Sequence, residues 1–171
     1  MHDPGLPSPW NGDTAADGKG ALYDELRQAL DGLLAGETDA IVIAANAVSA
    51  IYHSLPDVNW VVVYYLREHE LVLGPFQGKP ACSRIPLGQG VCGTAAARRR
   101  SVLVPDVMAF SGHIACDTAS RAELVVPLLA GEHVLGVLDL DSPHTGRFDT
   151  ADQAGCEALA GLIARRLALC H

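Results

Sequence analysis

The order of periodicities along this chain constrains its fold more than any single motif. Helical spacing marks both ends and strand-like runs fill the middle. Leu22, Leu26, Leu30, Leu33 and Leu34 recur on one helix face, with Gly36 as the stop. Thr38 is placed to cap a second helix that Pro56 closes, burying Ile41, Ala45, Val48, Tyr52 and Leu55. From Asn59 to Leu66 the residues NWVVVYYL are β-branched or aromatic and predict a strand. Glu70–Pro75, after a short charged turn, predicts its hairpin partner. Ala81–Ile85 and Val102–Val104 predict further strands, with a short Ala-rich helix at Val91–Arg99 between them. Leu124–Leu129 and His133–Asp141 predict two more around Gly131-Glu132. Asp149 or Thr150 opens a last helix, and Thr150 with Gln153 fits a capping box. Helices at both ends with strands between predict an α+β domain, its helices laid on a central antiparallel sheet.

Charge narrows the partners. Twelve Lys and Arg against 20 Asp and Glu give a formal net charge of −8. An acidic chain without a basic stripe repels phosphate backbones, so no nucleic acid is expected. Arg98, Arg99 and Arg100 read as a solvated helix end. No apolar run reaches the roughly 18 residues of a membrane span. The first ten residues carry neither a basic region nor an apolar one, which predicts a cytoplasmic protein with reduced thiols. Residues 1–20 are rich in Pro, Gly and Asp and predict a poorly ordered leader before a single domain at 21–171.

The chemistry is expected at the cysteines, which stand at 82, 92, 116, 156 and 170. Cys156 and Cys170 fall in the last helix and at its end, and read as a core residue and a frayed terminus. Cys82 sits on a predicted strand, Cys92 follows Gly-Gln-Gly at a helix start, and Cys116 lies in a long irregular stretch, residues 106–123. The positive end of a helix dipole lowers a thiol pKa, which favours Cys92 as a thiolate. Three inert buried cysteines are the bland alternative. No pair makes a C-x-x-C, so no metal site is expected.

Asp139 and Asp141 share one strand face, where they either bind a cationic group or meet solvent. Glu123 stands seven residues after Cys116, where the irregular stretch enters the next strand. Trp60 and Tyr64 also share a face, as core residues or as the apolar wall of a small-molecule pocket.

Several segments resemble the free methionine-(R)-sulfoxide reductases. They are Gly74 to Cys82 (GPFQGKPAC), Gly90 to Ala95 (GVCGTA), Val104 to Val107 (VPDV) and Gly112 to Asp117 (GHIACD). The likeness continues through Leu124 to Leu128 (LVVPL) and Asp139 to Pro143 (DLDSP). It covers about residues 21 to 168. It implies a GAF-like fold, a twisted antiparallel sheet with the N- and C-terminal helices packed on one face. It also implies a cytoplasmic homodimer that reduces the R-sulfoxide of free methionine and uses no cofactor beyond thioredoxin as external reductant.

Carried onto this chain, the resemblance makes Cys82, Cys92 and Cys116 the redox cysteines. Trp60, Tyr64, Glu123, Asp139 and Asp141 become pocket residues. Arg121-Ala122 and the Val61–Val63 run depart from the usual pattern without touching a polar site position. The implied mechanism has Cys116 attack the sulfoxide sulfur while Cys92 and Cys82 resolve or relay, with Cys92 the rival for first attack. Glu123 is the implied acid, Asp139 and Asp141 hold the ammonium group, Trp60 packs on the methyl and Tyr64 donates a hydrogen bond. A non-catalytic GAF module sensing redox state or a small ligand is the competing expectation.

Overall fold

A computed structural model describes residues 16–112 and 118–170 of the chain, with side chains from residue 18 onward. Six strands form one antiparallel sheet: β1 (Trp60–Arg67), β2 (Glu70–Gln77), β3 (Arg84–Pro86), β4 (Val102–Val104), β5 (Ala122–Ala130) and β6 (His133–Ser142). Their spatial order is β3-β2-β1-β6-β5-β4, so β1 and β6 are central neighbours despite their distance in sequence. Four α-helices accompany them: α1 (Ala16–Leu33), α2 (Ala40–Ser54), α3 (Gly90–Arg98) and α4 (Thr150–Leu167).

Strand alternation divides the sheet into two buried faces. Val61 and Val63 on β1, Leu124, Val126 and Leu128 on β5, and Leu138 and Leu140 on β6 pack with the apolar stripes of α1, α2 and α4. The intervening residues Trp60, Val62, Tyr64, Val125 and Val137 point the other way and pack with Val91, Cys92, Ala95 and Ala96 of α3. The terminal helices thus cover one face, as expected, and α3 covers part of the opposite one. Each fully buried Leu, Ile or Val contributes roughly 1.5–3 kcal/mol relative to exposure. Both faces therefore resist peeling away from the sheet.

Local chemistry corrects the predicted boundaries in four places. The helix α1 starts at Ala16 rather than after residue 20, because Lys19 ion-pairs with Asp149 and Asp152 at 2.8 and 2.6 Å and anchors that first turn. Asp39, not Thr38, caps α2, its carboxylate accepting from the Ile41 and Val42 amides. The capping box of α4 is Asp149 with Asp152, not Thr150 with Gln153. The strand predicted at Ala81–Ile85 shrinks to Arg84–Pro86, leaving Cys82 in the segment before it. The register pairs Val72 with Arg84, so an extension would set Cys82 and Ala81 against Gly74 and Pro75. There β2 bulges against β1, and Pro75 has no amide hydrogen to donate.

Asp152 is a buried hub the sequence did not signal. It accepts from Tyr23 Oη at 3.0 Å, Lys19 Nζ at 2.6 Å and Arg147 at 3.0 Å. Gly155, one turn along α4, faces the Tyr23 ring so closely that a Cβ there runs into its carbons. Gly155→Ala should therefore cost about 1–3 kcal/mol by forcing α1 and α4 apart. Denaturant unfolding checks this through a lower midpoint at unchanged slope.

Candidate active site

The β1–β6–β5 register assembles an acidic row from distant sequence. Trp60 on β1 lies opposite Asp141 on β6, and Asp141 lies opposite Glu123 on β5. Asp139 sits two residues along β6, between Val62 and Val125. Period-two alternation turns Trp60, Glu123, Asp139 and Asp141 toward the α3 side, together with Tyr64. Glu123, Asp139 and Asp141 are all buried, at 6%, 6% and 7% exposure. The bland alternative, that the aspartates meet solvent, is thereby removed.

A thiol completes the group. Cys92, in the first turn of α3, places Sγ 3.1 Å from Asp139 Oδ2 and 3.9 Å from Glu123 Oε1. Gly93 allows this approach, since a Cβ there would collide with the Pro86 carbonyl. The other aspartate oxygen, Asp139 Oδ1, is buried without a hydrogen-bond partner among the described residues.

Burial and mutual repulsion set the electrostatics. Burial first, and the charges of Asp139 and Asp141 next, push the Glu123 carboxyl well above the usual carboxylate range. Burial pushes Asp139 up to about 7. Cys92 corrects the expectation of an acidic thiol. Burial, then the charges of Asp139 and Glu123, raise it well above the ordinary cysteine value and outweigh the helix dipole.

A carboxyl whose folded pKa lies above its unfolded one binds its proton more tightly when folded. The stability it lends is complete below the unfolded value, near 4, and is lost as pH climbs through about 7. The melting temperature of the ligand-free protein should accordingly fall more steeply between about pH 4 and pH 7 than that of Asp139→Asn. Parallel thermal melts of the two proteins check this, and identical slopes refute it.

The remaining predicted site residues divide. Trp60 stacks on Phe76 with ring centroids 5.7 Å apart, forming an apolar wall beside Asp141. Tyr64 donates its phenol hydrogen to the Cys82 carbonyl at 2.9 Å, so that hydroxyl positions the Cys82 segment rather than standing ready for a ligand. Cys82 is disulfide-bonded, whereas Cys92, Cys156 and Cys170 are free thiols. Cys156, buried against Tyr23, is core as expected, and burial first of all raises its thiol to about 12. Cys116 lies outside the described residues. Sequence reasoning found the acidic positions but not the partnership of Cys92 with Asp139 and Glu123, which are 47 and 31 residues away from it.

This arrangement provides a buried proton donor, an oriented thiol and acidic groups suited to a cationic ligand, beside an aromatic wall. The GAF domain family model matches residues 39–167. The free methionine-R-sulfoxide reductase of Escherichia coli (strain K12) is 46% identical over 150 residues, covering 88% of this chain and 91% of that protein. The protein of the same name from Saccharomyces cerevisiae is 40% identical over 153 residues, covering 85% of each. The X-ray structure of free methionine-R-sulfoxide reductase from Neisseria meningitidis in complex with its substrate matches with a TM-score of 0.85 at 41% identity, over 88% of this chain and 91% of that one. Sheet order, helix placement and sequence identity over nearly the whole chain agree, and the chain belongs to the GAF-domain family of free methionine-R-sulfoxide reductases.

Proposed function

We propose that this protein reduces the R-sulfoxide of free methionine to methionine, with thioredoxin as its reductant. The observation that carries the reading is the buried row of Glu123, Asp139 and Asp141 facing Cys92 and Trp60 on one side of the sheet. A free amino acid brings an ammonium group that the aspartates neutralise, while a methionine inside a peptide has none. A methylsulfinyl group brings a small apolar methyl that suits the Trp60 wall, and an oxygen that must be protonated to leave.

The chemistry balances with thiols alone. The Cys116 thiolate attacks the sulfoxide sulfur, and the oxygen takes a proton from Glu123. The oxygen then passes to the cysteine, giving a sulfenic acid as methionine departs. The Cys82 thiol attacks that sulfenic sulfur, forming a disulfide and releasing water. Thioredoxin's dithiol reduces the disulfide by exchange and becomes oxidised itself. Cys82 takes part in a disulfide, which supports its role as a thiol of the exchange. Cys92 then serves as the relay thiol, packed against the acid that it helps to orient. Trp60 selects the methyl, and Tyr64 holds the Cys82 segment within reach of the pocket.

The protein works, in this reading, as a cytoplasmic homodimer without a bound cofactor. Among the described residues, no helix is long and apolar enough to cross a membrane.

The deciding assay couples thioredoxin-linked NADPH oxidation to the separated R and S sulfoxides of free methionine and of an N-acetylated, amidated methionine. Multiple turnover is expected only with the free R form. A single stoichiometric oxidation with no turnover would instead make the protein a redox sensor. Asp141→Ala should raise KM by about 30-fold or more, since removing one member of a buried charge pair costs roughly 2–5 kcal/mol. An unchanged KM removes Asp141 from the ammonium site.

A further inference from the structure

The donor atoms of Cys92, Glu123 and Asp139 have a property the reductase chemistry does not use. One sulfur and two carboxylate oxygens lie within 4.8 Å of one another, all on buried residues. From this geometry we infer that the crevice is also a binding site for a borderline-soft divalent cation of the zinc type, with Cys92 Sγ, Glu123 and Asp139 as ligands.

The distances fit such an ion. In tetrahedral zinc, sulfur at about 2.3 Å and oxygen at about 2.0 Å lie about 3.5 Å from each other. Here the sulfur stands 3.1 Å from one oxygen and 3.9 Å from the other, which brackets that value without backbone movement. The second observation is Asp139 Oδ1, buried in a 6% exposed residue with no hydrogen-bond partner among the described residues. Such an oxygen stabilises a cation whose charge replaces the water it lost on burial. The mixed set favours zinc or cobalt over magnesium or calcium, which prefer oxygen alone. On binding, the Sγ–H bond breaks, its proton leaves to solvent and the sulfur lone pair bonds the metal, with no change in oxidation state. Three protein ligands leave a fourth position for water or a ligand atom.

The sequence hid this site because its ligands lack the close spacing of a zinc motif. Only the strand register sets Glu123 diagonally across from Asp139, and only α3 lowers Cys92 onto them. The inference stands on donor geometry and is independent of which substrate the pocket takes. If the reductase reading also holds, the cation excludes the substrate ammonium group and acts as a competitive inhibitor.

Cobalt(II) is the direct probe, added to the full-length reduced protein under nitrogen. We expect one equivalent to bind and a thiolate-to-cobalt charge-transfer band to appear, with zinc abolishing the band by displacement. Cys92→Ser should lose the band, and Asp139→Asn should weaken binding at least tenfold while circular dichroism stays unchanged. Cys170→Ser, at the far end of α4, should keep the band intact. Absence of any band in the wild-type protein overturns the inference. So does a band that persists in Cys92→Ser, because the sulfur ligand is then another cysteine. If cobalt binds but the metal-free protein does not reduce methionine sulfoxide, the reductase reading fails alone. If turnover proceeds without any cobalt band, the metal inference fails alone.

Discussion

Cys116→Ser should abolish the release of methionine even in a single turnover without reductant, a loss of about 10⁴-fold or more. Cys92→Ser should retain one stoichiometric turnover. The difference follows from what opposes a thiolate at Cys92. A thiol attacks as its anion, and the Cys92 anion is opposed first by burial and then by the facing carboxylate of Asp139. Serine at 116 is nearly isosteric but lacks a nucleophile able to take the oxygen and later surrender it to a second thiol. Cys82→Ser gives the matching control. It should release one equivalent of methionine, accumulate the sulfenic acid on Cys116 and fail to turn over again. Quenched-flow measurement of methionine, with mass spectrometry of the trapped sulfenic acid, reads all three. Single turnover kept by Cys116→Ser and lost by Cys92→Ser would reverse the assignment.

Glu123→Gln should lower kcat by about 10²- to 10⁴-fold with KM changed much less. The oxygen of a sulfoxide is a poor leaving group unless protonated, and glutamine has no proton to give. Glu123 suits the task because its environment favours the protonated form well beyond what an ordinary carboxyl shows. Burial disfavours its charged form, and the aspartates opposite and beside it add repulsion. In the wild-type protein the rate should therefore fall on a limb displaced upward from the usual carboxylate range, where Glu123 loses its proton. The variant should lose that limb of the pH profile. A Glu123→Gln protein with full kcat would move the acid elsewhere, and a rise in KM alone would recast Glu123 as an ammonium ligand.

The elements of the fold were legible because their residues carry local signals. Val61 to Val63 and the aromatic pair Tyr64-Tyr65 read as a strand from β-branching and ring content alone. The leucines of α1 read as a helix from spacing alone. Boundaries were less legible where a distant partner decides them. Lys19 extends α1 only because Asp149 and Asp152 lie across the molecule. The strand β3 ends where the bulge at Gly74-Pro75 stops offering partners.

For the site, the sequence by itself narrowed the candidate side chains. The spacing of Asp139 and Asp141 places both on one strand face, and the cysteine motifs carry the family likeness that names the redox positions. Tertiary structure decided what those groups become. Strand order cannot be read from local preference, so only the folded sheet shows that β6 lies between β1 and β5 and that Glu123, Asp141 and Trp60 stand in line. Ionisation is likewise nonlocal, since it depends on lost water and on charges brought near by folding. A helix start alone predicts an acidic Cys92, and burial, with the carboxylates packed against it, raises that thiol instead.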